Sequence, residues 1–391
     1  MVPNGKNISR GGFYRLAMRY CKRCVNPDTR PNIVFDEDGI CLPCRHAEAK
    51  ANETINWAAR QREIEEIARW GKVHAHHGYD CIVTVSGGKD STRQALHARD
   101  ELGLKPLLVS CVYPPEQLAE RGAHNLANLI ELGFDTISLS LNPQLWKELM
   151  LKGFMRYANW CKSTEMALYA IPIHFAIAWQ IPLVFYGENP SFTIGERTSG
   201  YDGSATNLRQ GNTIASGIDD LAENVANDKD LHFYRYPDIK DMELAELRLV
   251  YLGYYIPNFN QYENARISIA HGLEIRHAPP EEIGDINGYS ALDEDFVVVN
   301  QMIKYIKHGY GRVTDQAVEG INTGLFDRAR GIELVRQYDG KCDPIYIRRY
   351  CNYLGITEET FWKVVEAQRG QDIWIKNPAG GWQLSVDINQ T

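Results

Sequence analysis

The chain has 391 residues, of which 44% are hydrophobic and 24% are charged, so it is long enough for two or three folded domains and too apolar for a disordered protein. Its net charge of −8 gives no general attraction for a polyanion, so we expect no nucleic-acid partner, although small anionic substrates stay compatible with it. Met1 to Tyr20 lacks the apolar run of a secretory signal, and the nine cysteines fit a reducing compartment. We therefore expect a cytoplasmic protein without a membrane span.

Two C-x-x-C pairs lie sixteen residues apart near the amino terminus: Cys21 with Cys24, and Cys41 with Cys44. This spacing predicts a tetrahedral Zn²⁺ site. Between the pairs, Ile33 to Phe35 predicts a short strand and Asp38-Gly39 a hairpin turn, which together give a zinc ribbon over residues 1–50. Four thiolates leave no open coordination position, so the expected role of the metal is structural; redox chemistry or sulfur transfer is the alternative.

After a helical pattern over 55–70, strands and helices alternate along the chain. The predicted strands are 81–86, 106–113, 135–140 and 182–187, and the predicted helices are 90–102, 116–132, 144–158 and 164–180. Such alternation predicts an α/β fold over residues 51–240, a doubly wound parallel sheet with helices on both faces. Ligands of such sheets bind at the carboxyl ends of the strands.

The first of these strands leads directly into a glycine-containing loop, Ser86-Gly87-Gly88-Lys89-Asp90-Ser91-Thr92. Two glycines let the backbone approach an anion, and the following helix presents free N–H groups to it. Lys89 adds a positive charge, while Asp90 is placed either to cap the helix or to help hold Mg²⁺. The loop therefore predicts a phosphate-binding site, with an ordinary capped turn as the alternative.

A second candidate segment, Gly187-Glu188-Asn189, follows the strand 182–187 at the same edge, where it either frames a nucleotide or is a plain loop. Residues 191–235 are polar and too long for a simple connection, so we expect a functional loop or lid. Arg197 and Arg209 lie in it, either to bind a substrate phosphate or carboxylate or simply in solvent. Residues 241–391 predict a mostly helical region, with helices over 241–277 broken at Pro257 and further helices over 293–369.

The loop resembles that of the ATP pyrophosphatase (PP-loop) superfamily, whose signature is Ser-Gly-Gly-x-Asp-Ser. Over almost its whole length, the chain resembles the N-acetyl sugar amidotransferases of bacterial surface-glycan synthesis, such as that of lipopolysaccharide O-antigen or flagellin nonulosonic acids. The segments that carry this resemblance are Tyr20 to Pro31, Ser86 to Thr92, Gly187 to Pro190, Lys307 to Gln316, Tyr338 to Gly340, Tyr353 to Thr357 and Phe361-Trp362.

The resemblance implies an ATP-dependent enzyme that converts an acetamido group, on a nucleotide-linked amino sugar or a related precursor, into an acetamidino group. The amide oxygen is adenylated, and ammonia then displaces AMP. Within the loop, the residues implied to bind pyrophosphate are Ser86, Gly87, Gly88, Ser91 and Thr92, with Lys89 offsetting negative charge and Asp90 working with Mg²⁺. Arg312 and Asp315 are further candidates for polar contacts with the substrate; a salt bridge at a helix start is their alternative.

The resemblance also implies that ammonia comes from a separate glutaminase, similar to the histidine-pathway glutamine amidotransferase, together with a cyclase-like barrel. Two other functions compete with this interpretation. A tRNA thiolation enzyme can join a zinc module to the same ATP loop, but it needs sulfur-handling cysteines near ATP, and only Cys161 is a candidate. A non-catalytic zinc-ribbon interaction module predicts loss of Lys89, Asp90 or the loop hydroxyls, all of which are present.

Overall fold

The computed structural model describes residues 18–211, 214–225 and 227–389. Most of the Met1 to Tyr20 segment, and with it the first 17 residues of the predicted ribbon, lies outside the described residues. Within the described ranges, no helix combines the length and the apolar character needed to cross a membrane.

The described residues form seven strands and sixteen α-helices. The strands are β1 Cys81–Thr84, β2 Pro106–Cys111, β3 Asp135–Leu139, β4 Leu183–Tyr186, β5 Arg248–Tyr251, β6 Trp374–Lys376 and β7 Trp382–Leu384. The helices are α1 Leu42–Ala51, α2 Trp57–His74, α3 Lys89–Leu96, α4 Glu120–Glu131, α5 Pro143–Tyr157, α6 Cys161–Ala178, α7 Pro190–Thr193, α8 Asp219–Ala222, α9 Ile239–Leu244, α10 Gln261–Ala270, α11 Pro280–Ile283, α12 Val297–His308, α13 Arg312–Asn322, α14 Arg328–Tyr338, α15 Pro344–Leu354 and α16 Glu358–Ala367.

Strands β1 to β5 form one parallel sheet in the order β3-β2-β1-β4-β5. In its register, Ile82 of β1 lies between Leu107 of β2 and Val184 of β4. The residues of β2 and β4 are buried throughout, as expected for a parallel sheet that is covered on both faces. The α/β class predicted from the alternation of strands and helices is confirmed.

Helices cover the two faces of this sheet. Helices α2, α3 and α4 pack on one face through Ile64, Leu96 and Leu129. On the other face lies α6; α5 packs on α6, α15 packs on α5, and α12 and α16 pack on α15. These helices contribute to one apolar core through Leu149, Ile171, Met302, Tyr350 and Phe361. A third apolar cluster joins the amino-terminal cysteines to α13 and α14 and to Trp374 of the antiparallel hairpin β6-β7. The carboxyl-terminal helices therefore pack against the helical layer over the sheet and against the amino-terminal segment.

The predicted secondary structure is wrong within residues 241–277. The sequence pattern predicts helices over 241–277, but Arg248–Tyr251 forms β5 and pairs with β4 at the edge of the sheet. The strand has only four residues, and the leucine, glutamate and alanine residues before it favour a helix. Burial of Leu249, Val250 and Tyr251 against the sheet outweighs this local preference.

The polar segment 191–235 contains only short helical turns among its described residues. It is nevertheless packed against the sheet, because Leu208, Ile218, Leu221 and Tyr234 are buried in the same core as α5 and α6. The proposed lid function of this segment stays a prediction.

Candidate functional site

The sheet order reverses between β1 and β4, and the two candidate segments meet at this point. Chain connections lead away from β1 through β2 to β3 on one side, whereas β4 leads to β5 on the other. A crevice therefore opens beyond the carboxyl ends of β1 and β4, as in other doubly wound sheets. The glycine-containing loop and Gly187 both lie in it, and a Cβ atom on Gly187 would come within 3.1 Å of Gln94 Nε2 of α3.

The backbone of the loop is shaped to receive an anion. Gly87 has φ +77°, and a Cβ atom there would lie 3.2 Å from the backbone nitrogen of Leu126. Helix α3 begins at Lys89, and no side chain caps its amino terminus. Its first N–H groups therefore stay available to a ligand. The loop chemistry fits phosphate, and the hydroxyl of Thr92 is buried without a hydrogen-bond partner within the described residues.

Asp90 does not cap the helix. Its carboxylate accepts hydrogen bonds from Lys89 Nζ (2.7 Å) and from Asn264 Nδ2 of α10 (2.8 Å). Ser268 of α10 donates to the carbonyl oxygen of Lys89 (2.8 Å). Helix α10 thus holds the loop through two hydrogen bonds. Of the two roles predicted for Asp90, coordination of Mg²⁺ stays a prediction.

Two further carboxylates, Glu188 and Glu319, lie near Lys89 and Asp90. Burial, together with the charge of Asp90, raises the pKa of Glu188. Burial also raises the pKa of Glu319 to about 7, against the opposing effects of a hydrogen bond from the Gln261 N–H and of the Lys89 charge. The pKa of Lys89 is also raised, although burial alone would lower it. The charge of Asp90, the hydrogen bond to Asp90 and the charges of Glu188 and Glu319 outweigh the effect of burial. A positive Lys89 is therefore stabilised among acidic groups.

These side chains line two adjoining cavities that share Asp90 and Glu188. The strand-end cavity lies over β1, β2, β4 and β5 and is lined by apolar groups such as Val85, Val109 and Leu168. The charged cavity contains Lys89 and Glu319. Each cavity has a volume of about 260 Å³, so the two together reach the size range of small-molecule sites, about 300–1,000 Å³.

Helix α13 brings residues from the far end of the sequence into the charged cavity. Asp339 fixes its amino terminus by accepting hydrogen bonds from the N–H groups of Gly311 (2.8 Å) and Val313 (3.0 Å). Arg312, the first residue of the helix, then lines the charged cavity together with Glu319. The predicted residue Arg312 is therefore placed beside the loop.

Asp315 also borders this cavity, but its carboxylate is engaged by other protein groups. It accepts hydrogen bonds from Arg30 Nη2 and from Lys304 Nζ (2.8 Å). Although burial opposes ionisation, the charges of Arg30, Lys304 and Arg312 hold the pKa of Asp315 well below its usual value. These contacts correspond to the alternative of a structural ion pair. Its partner Arg30, however, comes from the amino-terminal ribbon.

Arg197 and Arg209 are exposed, and neither lines the strand-end cavity or the charged cavity. The Arg197 guanidinium donates to the hydroxyl of Tyr201 (3.3 Å). Cys161 is likewise absent from the walls of both cavities, whereas Cys111, at the end of β2, lines the strand-end cavity. Burial raises the pKa of the Cys111 thiol, which disfavours the nucleophilic thiolate.

Glu319, Asn264 and Arg30 also belong to this region, although the sequence does not predict them as site residues. The sequence does contain a pattern that indicates Glu319, because Arg312, Asp315 and Glu319 recur at i, i+3 and i+7 and so share one face of α13. No local pattern indicates Asn264 or Arg30, because the contact of Asn264 with Asp90 spans 174 positions and that of Arg30 with Asp315 spans 285.

The four amino-terminal cysteines form a cluster that fits Zn²⁺. Their sulfur atoms all lie within 4.8 Å of one another, and Cys21 to Cys44 and Cys24 to Cys41 are 3.9 and 3.6 Å apart. A tetrahedron with Zn–S bonds of about 2.3 Å has S–S edges of about 3.8 Å. The predicted strand at Ile33 to Phe35 is reduced to one antiparallel bridge between Phe35 and Cys41, closed by a turn in which Gly39 has φ +80°.

The carboxylates that would hold Mg²⁺ are less closely assembled than the four cysteines. Within the described residues, the cysteine cluster is the one group of metal-binding side chains that converges this closely, so Asp90, Glu188 and Glu319 do not form a ready cage. Magnesium sites commonly combine one or two carboxylates with phosphate oxygens. Asp90 and Glu188, which line both cavities, are the residues that fit this mode.

Comparison with known proteins finds similarity in the carboxyl-terminal part. Residues 284–388 match the model of a family described as "LPS biosynthesis protein WbpG-like, C-terminal domain". This segment is just over a quarter of the chain and contains α12 to α16, and hence Arg312, Asp315 and Glu319. No curated protein matches the sequence.

We expect Cys21→Ser to lose one Zn²⁺ per chain and to lower the melting temperature, because metal binding in such a ribbon supplies folding free energy. Metal content by emission spectroscopy and thermal unfolding measure both effects. Cys342→Ser, outside the cluster, is the control and should keep the metal. A metal-free Cys21→Ser protein that melts like the unchanged chain would show that the cluster does not stabilise the fold.

We expect Asp315→Asn to lower the free energy of unfolding by about 3–5 kcal/mol, because Arg30 and Lys304 would be left buried without a carboxylate. The control Asp387→Asn breaks the exposed pair with Arg336 and should cost less than about 1 kcal/mol. Because folding depresses the pKa of Asp315, its contribution is present above about pH 4 and is lost as the pH falls. Urea unfolding at pH 7 and pH 3 tests this; an equal loss at both pH values would contradict it.

Proposed function

We propose that the protein is an ATP pyrophosphatase of the PP-loop type that acts as an amidotransferase in bacterial surface-glycan biosynthesis. It converts an acetamido group of an N-acetylated amino sugar into an acetamidino group, with ATP and ammonia as co-substrates and AMP and pyrophosphate as products. The similarity of residues 284–388 to an LPS biosynthesis family supports the glycan context.

One observation carries this proposal. The charged cavity is lined from one side by Lys89 and Asp90 of the phosphate-binding loop and from the other by Arg312 and Glu319. The latter two belong to the segment that is similar to the LPS biosynthesis family. A reaction between a nucleotide and a glycan precursor requires such a shared site.

The loop binds ATP in the first step. The adenosine part occupies the apolar strand-end cavity, and the phosphates lie against the amino terminus of α3. The amide oxygen of the sugar attacks the α-phosphorus, the bond to the β-phosphate breaks, and pyrophosphate leaves. Lys89 and Arg312 offset the charge that develops on the phosphate oxygens, and Asp90 with Glu188 would hold Mg²⁺, which supplies further charge neutralisation.

In the second step, ammonia attacks the carbon of the O-adenylyl imidate and AMP leaves, so that a C–N bond replaces the C–O bond. The nitrogen of the attacking ammonia must lose a proton before the amidine is complete. Glu319, with a pKa of about 7, accepts a proton near neutral pH more readily than a solvent-exposed glutamate. We include a separate glutaminase and a cyclase-like barrel in the proposal as the source of ammonia.

One observation supports the alternative of a tRNA thiolation enzyme: Cys111 lines the strand-end cavity. Its burial and raised pKa argue against it as a sulfur carrier, because sulfur transfer starts from a thiolate.

We expect Lys89→Ala and Asp90→Asn each to reduce the formation of AMP from ATP by about a hundredfold or more, equivalent to about 3 kcal/mol of transition-state stabilisation. Circular dichroism should show a retained fold. The control Asp100→Asn changes an exposed carboxylate shortly after the same helix and should leave turnover intact. AMP release near the normal rate in both loop variants would refute the assignment.

The function itself is tested by the product. Given ATP, Mg²⁺, a 2,3-diacetamido sugar nucleotide and a high ammonium concentration, the isolated chain should release AMP, pyrophosphate and a sugar about one mass unit lighter, because oxygen is replaced by an NH group. Glutamine should serve only with the partner glutaminase. Cys111→Ser and Cys161→Ser should keep this activity, since ammonia is the nucleophile. Loss of activity in these variants, with thiolated tRNA formed from a sulfur donor, would favour the alternative.

A further inference from the structure

A third cavity, of about 250 Å³, lies between the zinc ribbon and the charged cavity, and we name it the ribbon cavity. One wall is the face of α1 that carries Pro43, His46, Ala47 and Lys50. These residues recur at i, i+3, i+4 and i+7, so they lie on one side of the helix. The ribbon therefore contributes more than a folded metal site: it forms part of a cavity wall.

The ribbon cavity and the charged cavity share Glu188, Thr193, Phe259, Asn260 and Glu319. A molecule bound against α1 therefore reaches the carboxylates that face Lys89. The arrangement provides room for a second substrate beside the one that occupies the loop.

The lining of the ribbon cavity suits a sugar. Phe192, Tyr254 and Phe259 give the cavity aromatic walls, against which the apolar C–H groups of a sugar can pack. The Phe192 ring stacks on His46 with 4.2 Å between ring centroids, which holds it in place. Asn322 Oδ1 is buried without a hydrogen-bond partner among the described residues, so it is a free acceptor for a hydroxyl or amide N–H group.

Lys50 favours a ligand that carries a negative charge. Its side chain is partly buried, and it forms no ion pair within the described ranges; the Trp57 ring lies 6.0 Å from its Nζ. Burial and the charge of Arg60 lower the pKa of Lys50, and the charge of Glu319 offsets this only in part. A phosphate oxygen would stabilise this partly buried cation, whereas a sugar hydroxyl would do so far less.

We propose that the ribbon cavity binds the sugar acceptor and that Lys50 selects an acceptor that carries a phosphate group. The identity of the ligand rests on the proposed function. The acceptor amide then lies toward Glu188 and Glu319, and the phosphate lies toward α1.

The test measures binding to the full-length, zinc-loaded chain by calorimetry. The loop is first saturated with the α,β-methylene analogue of ATP, and the probes are UDP-N-acetylglucosamine and free N-acetylglucosamine. Lys50→Gln should weaken binding of the nucleotide sugar at least tenfold and leave the weak binding of the free sugar unchanged. Ala47→Phe should block both probes by filling the cavity. Lys72→Gln, an exposed lysine of α2, is the matched control and should have no effect.

Each result decides for or against the inference. Unchanged affinity of Lys50→Gln, or no binding of UDP-N-acetylglucosamine by the unaltered chain, would overturn it. Weaker binding of the ATP analogue to Ala47→Phe would assign the cavity to ATP instead. Amidine formation with both variants unaffected would leave the proposed function standing and refute this site. Variant-sensitive binding without any AMP formation would support the site and refute the function.

Discussion

The buried ion pair between Arg30 and Asp315 holds the amino-terminal ribbon against the carboxyl-terminal helices. Removing both charges from water is costly, so the pair forms only where further hydrogen bonds support it. Lys304 binds the second oxygen of Asp315, and Arg30 Nε donates to Asn26 (2.7 Å). The backbone N–H of Asn26 in turn contacts the sulfur of Cys24. The cysteine cluster is therefore connected, contact by contact, to the wall of the charged cavity.

The same constraint explains how distant parts of the chain make one site. The sheet alone provides the crevice and the loop. Arg312 and Glu319 reach that crevice only because α13 is fixed at its start by Asp339 and along its face by the ion pair of Asp315. Helix α10 completes the arrangement by bonding Asp90 through Asn264. Loss of the ribbon would therefore remove one support of α13 and alter the charged cavity beside the loop.

The parts that the sequence predicted are those governed by local chemistry. Four strands, the loop and the cysteine cluster each depend on residues close together in the chain, such as the apolar run before Ser86. Strand β5 was missed because tertiary burial outweighs local preference in so short a segment. Arg30 and Asn264 could not be found, because their roles depend on contacts across most of the chain. No local pattern encodes such contacts.

Under the proposed function, the grouping of acidic residues around a single lysine has a chemical reason. Ammonium is a cation at neutral pH, and carboxylates such as Glu188 and Glu319 attract it into a buried site. Attack, however, requires neutral ammonia, so a proton must be removed where the intermediate forms. A glutamate whose pKa is raised to about 7 serves both needs, because it is partly ionised when ammonium arrives and can keep the proton that ammonium loses.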